Sequence, residues 1–171
     1  MSSPASTLFT IRQARAEDAL LIARHRARMF QDMGEVPPMM VESLIAASRS
    51  WIEGALDAGE YVGWLASPKQ ASHIVVGGAG VQLRRAAPHP LHNETCDVTI
   101  AKGAHAIVLN VYVEPEWRRH GLGALLMQQV IDWAQSEQLD RLVLHSSRQG
   151  RELYERLGFV PTNEMQYRKH T

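Results

Sequence analysis

Cysteine is nearly absent: the 171 residues hold one, Cys96. No intrachain disulfide can form, and no CxxC pair exists to hold a metal. A reducing, cytoplasmic setting is the expectation. Excess charge is absent too, because 18 basic residues balance 18 acidic ones. A general nucleic-acid coat would carry a basic excess, so that class is disfavoured. No stretch approaches the ~20 apolar residues of a membrane helix. The opening residues, MSSPASTLFTIRQARAED, lack the charged-then-apolar order of a secretory signal. Internal repeats and low-complexity tracts are also missing. What is present is ordinary for a globular protein: 45% apolar and 21% charged residues. A chain of this length buries roughly 70% of the surface its unfolded form exposes, so a core forms without staples.

Residues 1–8 read as a flexible tail with little to pack, and residues 9–171 as one domain. Phe9 to Gln13 reads as a strand. From Ala16 to Met33 the period is helical: Ala19, Ile22, Ala23, Met29, Phe30 and Met33 share a stripe that Arg26 interrupts. Gly34 ends this helix, and Pro37-Pro38 prevents its resumption. A second helix is expected from Met40 to Ala58, stopped by Gly59. Tyr61 to Ala66 and Ile74 to Val81 read as strands. Gly77, Gly78 and Gly80 weaken the second and point to a bulge or a close backbone approach. Arg85 to Gly103 shows no period and reads as a long loop, a class that is often functional. Ala106 to Val113 is nearly continuous apolar sequence, as in a central strand covered on both faces. Gly121 to Glu137 is an amphipathic helix, Leu142 to Leu144 a short buried strand, and Arg151 to Leu157 a short helix ended by Gly158. Phe159-Val160 and Met165 to Arg168 read as final strands. The order β-α-α-β-β-β-α-β-α-β predicts an α/β fold with a mixed sheet and helices on its faces.

The most informative stretch leads from the Val111-Tyr112-Val113 strand through Arg118-Arg119-His120-Gly121-Leu122-Gly123 into a helix. The first turn of a helix offers unpaired N–H groups and a positive dipole end. Glycines let an anion approach the backbone without meeting a Cβ. Arg118 and Arg119 add charge and paired donors. A pyrophosphate suits such a turn. The dinucleotide fingerprint GxGxxG fails at Leu126, and the Walker A sequence occurs nowhere.

A Val-x-Val strand followed by Arg-x-x-Gly-x-Gly resembles the GNAT superfamily of acyl-CoA-dependent N-acetyltransferases. Leu153-Tyr154-Glu155-Arg156-Leu157-Gly158-Phe159 looks like that family's LYxxxGF signature, and Ile11-Arg12-x-Ala14-x-x-x-Asp18 like its usual opening. The resemblance covers most of the chain and is strongest over residues 106–160. It implies a GNAT-like fold and acetyl-CoA as co-substrate. The N–H groups from Arg119 to Ala124, within the stretch Arg118, Arg119, His120, Gly121, Leu122, Gly123 and Ala124, would hold the pyrophosphate. The backbone of Val111, Tyr112 and Val113 would run beside the pantetheine arm, with Val111 and Val113 pairing to it. A bulge near Asn110 would aim a backbone N–H at the thioester carbonyl. Tyr154 stands where the family keeps its general acid. Ser147 replaces an asparagine that helps to hold CoA in many relatives.

The implied activity is transfer of an acetyl group to a primary amine by direct attack in a ternary complex. Some relatives carry a glutamate early in the central strand as base. Here that region reads Ala106-Ile107-Val108-Leu109, which leaves His145, His105 or a water chain to take the proton. The acceptor site is expected between Met29 and Met40 and along Arg85 to His105, with the methionines as an adaptable apolar wall. His89, His92 and Glu94 lack the spacing of a metal set, so no metal is expected. A small-molecule amine or a peptide N-terminus fits as partner, with no nucleic acid and no membrane. A homodimer rests on the resemblance alone. The competing reading is a non-catalytic acyl-CoA-binding or sensor module, which the missing glutamate favours and Tyr154 opposes.

Overall fold

Two apolar periods build this protein, one of two residues for strands and one of 3.6 for the helices that cover them. The computed structural model describes residues 4–92, 95, 97–162 and 164–167. Its strands are β1 (Phe9–Gln13), β2 (Tyr61–Pro68), β3 (Gly77–Arg85), β4 (Pro90–His92), β5 (Val98–Ile100), β6 (Ala104–Val113) and β7 (Arg141–Leu144). The helices are α1 (Pro4–Leu8), α2 (Ala19–Asp32), α3 (Val41–Asp57), α4 (Leu122–Ser136) and α5 (Arg151–Arg156). The main sheet runs β1-β2-β3-β6-β7. Its first four strands are antiparallel, and β7 joins β6 in parallel.

Alternation along β2 shows how the layers divide. Trp64 and Ala66 face α4, where they join Leu122, Leu126, Met127 and Val130 in one buried cluster. Tyr61 and Leu65 face the other way and pack with Ile22, Ala23, Ile52 and Ala55 of α2 and α3. The sheet is thus the middle of three layers. Its nearly continuous apolar strand, β6, serves both clusters, Ala106 and Val108 on one side and Leu109 on the other. No helix among the described residues is long and apolar enough to cross a membrane.

The fold class is the mixed α/β arrangement read from the sequence, but the element order differs in three places. The tail expected over residues 1–8 is a helix from Pro4 to Leu8, and its Ala5 is buried in the cluster around Leu122. Small residues carried the reading of a tail, yet a small residue is what fits against Gly121, whose Cβ position lies 3.3 Å from Ala5 Cβ. Within the expected loop from Arg85 to Gly103, β3 extends to Arg85, and β4 and β5 form a two-stranded sheet. No final strand forms at Phe159-Val160 or at Met165 to Tyr167, and Arg168 lies outside the described residues. Val160, Met165 and Tyr167 are all strongly exposed, with no neighbouring strand to pair with.

Candidate active site

Strand β6 is paired along both edges only in its first half. Its partnership with β7 ends at Val108 opposite Leu144, while its pairing with β3 continues to Val113 opposite Gly77. From Leu109 to Val113 one edge therefore has no strand partner among the described residues. After β7 the chain passes through a turn into α5, and beside this half of β6 we place a wedge floored by backbone N–H and C=O groups. An extended ligand carrying amides can add to such an edge as a strand does.

The wedge opens at a bulge. Gly78 faces Tyr112 and Gly80 faces Leu109, so Ala79 alone stands opposite Asn110 and Val111. Asn110 takes up the extra residue with φ of 58°, a left-handed conformation that asparagine tolerates better than most residues. Its side chain is buried and tied at both ends. Asn110 Nδ2 donates to Tyr61 Oη at 3.1 Å, and Oδ1 accepts from Arg26 Nη1 at 2.7 Å. Burial pushes the Tyr61 phenol up to about 12, so it stays neutral. Gly80 is the close approach that its strand foreshadowed: a Cβ there would stand 1.9 Å from Tyr61 Oη.

After β6 the chain makes a short turn over Pro115–Trp117 and then two left-handed residues, Arg119 at φ 68° and Gly121 at φ 78°. Gly121 is the N-cap of α4. The first N–H to find an acceptor is that of Leu125, which donates to Gly121 O at 3.0 Å. The N–H groups from Arg119 to Ala124 donate to nothing among the described residues. Unpaired donors converging at a helix start bind anions. The Arg118 guanidinium does not join them. Its Nε donates to Val113 O at 2.9 Å, and its Nη2 pairs with Asp32. It braces the turn against α2, and its charge is met there. Arg119 is exposed.

Helix α5 leans over the same turn, with Leu153 Cδ2 3.4 Å from the Cβ position of Gly123. Tyr154, the next residue, packs against the core cluster that holds Leu122 and Leu126. Its ring packs edge-on against Phe159 with centroids 6.1 Å apart, and burial pushes its phenol above the ordinary value. Ser147 Oγ accepts from Gly150 N–H at 3.1 Å and so shapes the entry into α5. Its hydroxyl proton stays available to a ligand. His145 follows β7 directly, is mostly exposed, and holds Nε2 3.5 Å from Glu164 Oε1. His105 lies five residues before the bulge, roughly 16 Å along the strand, and stacks edge-on with His89. It is out of reach of the wedge. No group of three or more metal-ligating residues occurs among the described residues; His92 belongs to β4, and Glu94 lies outside them.

Beside the bulge, an open cleft of about 450 Å³ lies between α2 and α3, lined by Arg26, Phe30, Glu35, Val36, Met40, Ser43 and Leu44. It falls within the Met29 to Met40 region where an acceptor site was expected. Of the methionines there, Met40 alone lines it, and Met39 points to solvent. None of the described residues between Arg85 and His105 lines the cleft. Arg26 and Tyr61 belong to no sequence motif. The one available signal was an arginine inside an otherwise apolar helix stripe.

Residues 22–159 match the sequence model of the acetyltransferase (GNAT) family. No curated protein matches the chain. Among solved structures it is similar to a GCN5-related N-acetyltransferase from Ralstonia eutropha JMP134, with 27% identity and a TM-score of 0.80 over 94% of this chain and 98% of that one. A predicted acetyltransferase from Clostridium acetobutylicum, solved with acetyl-CoA, shares 21% identity at a TM-score of 0.76, over 95% of this chain and 96% of that one. An aminoglycoside N-acetyltransferase in complex with CoA shares 18% identity at a TM-score of 0.64, over 95% of each chain. The last two likenesses are likenesses of fold.

Proposed function

Because the chain belongs to the acetyltransferase (GNAT) family and is thereby an acetyl-CoA-dependent acyltransferase, we propose that it acetylates a primary amine by direct attack in a ternary complex. The observation that carries this reading is a half-paired, bulged strand running straight into a helix start with free N–H groups. The unpaired edge of Val111 and Val113 receives the pantetheine amides. N–H groups from Arg119 to Ala124 hold the pyrophosphate, with the Arg119 side chain adding charge and Arg118 bracing the turn. Ser147 adds one hydrogen bond. Residues 4–167 act here as a single domain, and the lone cysteine fits a reducing, cytoplasmic setting.

The amine nitrogen attacks the thioester carbon, forming the C–N bond. A backbone N–H at the Asn110 bulge stabilises the oxygen as it gains charge. The C–S bond breaks, and the departing thiolate takes the Tyr154 proton. Tyr154 is suited to this because its burial keeps the phenol protonated at neutral pH. The proton that the nitrogen loses as the amide forms leaves through solvent, with His145 as its first side-chain acceptor, and solvent returns a proton to Tyr154 before the next turnover.

Replacing Tyr154 with Phe tests the assignment. Turnover, followed by release of free CoA thiol, is expected to fall about 100-fold. The thermal stabilisation that acetyl-CoA gives should persist. Unchanged turnover would remove Tyr154 from the role of acid.

A further inference from the structure

Two arginines close to the site each meet a carboxylate: Arg28 pairs with Glu114 and Arg118 with Asp32. Arg26 does not. It is half-buried, and among the described residues no carboxylate stands within ion-pair distance of it. One N–H reaches Asn110 Oδ1, and the guanidinium carbon lies 4.8 Å over the Phe30 ring. Both contacts hold the group in place, and neither supplies a negative charge. A cation withdrawn from water without a counter-charge is unfavourable, and a ligand that brings the charge relieves this. Arg26 and Phe30 both line the cleft of about 450 Å³, a volume typical of a small-molecule site.

The remaining lining narrows the chemistry. Arg26 is the one cation and Glu35 the one acid, so the cleft carries no net charge. That suits a single negative charge better than a phosphate dianion, which draws several cationic donors. The planar fork of arginine matches a carboxylate. Phe30, Val36, Met40 and Leu44 supply an apolar wall. Arg26 is one hydrogen bond from Asn110, the residue of the bulge. An acceptor whose carboxylate sits on Arg26 and whose amine reaches the bulge must carry the two groups close together. In an α-amino acid they are separated by one carbon.

We propose that the acceptor is a free α-amino acid with an apolar side chain, its carboxylate held by Arg26 and its side chain lying along Phe30, Val36, Met40 and Leu44. This rests on the acetyltransferase reading above and narrows its acceptor. A peptide N-terminus lacks the adjacent carboxylate and is excluded. The Tyr61–Asn110 pair becomes the positioning device for the guanidinium.

Binding and turnover separate this proposal from its premise. With CoA present, N-acetylleucine and N-acetylleucinamide are titrated into the wild-type protein by calorimetry. The acid should bind at least 10-fold more tightly than the amide. In Arg26→Gln that preference should vanish, and Arg26→Lys should keep part of it. Equal binding of acid and amide by the wild type overturns the proposal, whether or not the variants fold. Free-thiol release with leucine and with leucinamide is then compared. Turnover of leucinamide equal to or above that of leucine also overturns the proposal while leaving the acetyltransferase reading intact. Selective binding of the acid without turnover of either amine upholds the carboxylate site and overturns the transfer reaction.

Discussion

Single residues carry the site's precision, and Tyr61 shows it most directly. Its phenol is raised to about 12 by burial, against about 10 when exposed in the unfolded chain. Above pH 10 the unfolded state gives up this proton while the folded state keeps it. Stability therefore falls as pH rises from about 10 to about 12 and is unaffected by this group below that window. The full loss is about 2–3 kcal/mol. Urea unfolding at stepped pH should record it, and Tyr61→Phe should flatten that part of the curve. The sequence reached some of these residues and not others. The left-handed Gly121 and the bulge at Asn110 are where the turn pattern and the family resemblance put a special backbone, and the role proposed for Tyr154 rests on the same kind of short local pattern. Gly80 was legible as an oddity in a strand, but the hydroxyl it accommodates comes from Tyr61, 19 residues earlier and on the neighbouring strand. Arg26 finds its partner 84 residues away. No local pattern encodes a contact of that span, so the charge lining the cleft between α2 and α3 emerges only once the chain is folded.

At the scale of elements, the start of α4 decides whether the turn works. Gly121 adopts φ of 78° as the N-cap, a conformation that disfavours any residue with a Cβ. Gly121→Ala should lower stability by about 1–2 kcal/mol. It should also raise the acetyl-CoA concentration needed for half-maximal thermal stabilisation, because the N–H groups no longer converge. A thermal-shift titration reads both effects. Helices and central strands were legible from periodicity, since each buries a face against the sheet. The elements misread were those whose order comes from distant partners. Helix α1 is too short to stand alone and is held by α4. Among the described residues, strands β4 and β5 pair only with each other. Phe159-Val160 and Met165 to Tyr167 have strand-like composition, but among the described residues no strand pairs with them.

For the whole molecule, the proposed pairing of acetyl-CoA along the free edge of β6 would make it a piece of the sheet as well as a reactant. At 100 times its Kd it should add about 2.7 kcal/mol of stability. For a protein of this size that is a rise in Tm of roughly 5–10 °C, and ATP or NAD should give none. The layers that determine this behaviour, a mixed sheet between two helical faces, were legible from the order of apolar periods alone. The splaying of β6 from β7 follows from the family resemblance and not from the periods, because both strands look equally apolar; the pairing of the two ends at Val108 opposite Leu144. That divergence has a consequence for the empty protein. Five residues of β6, Leu109 to Val113, present a ready-made sheet edge to whatever chain arrives. An unsatisfied edge recruits other strands. If acetyl-CoA occupies this edge as proposed, the protein without it should be the form more prone to pair with a second chain, and light scattering with and without acetyl-CoA should record the difference.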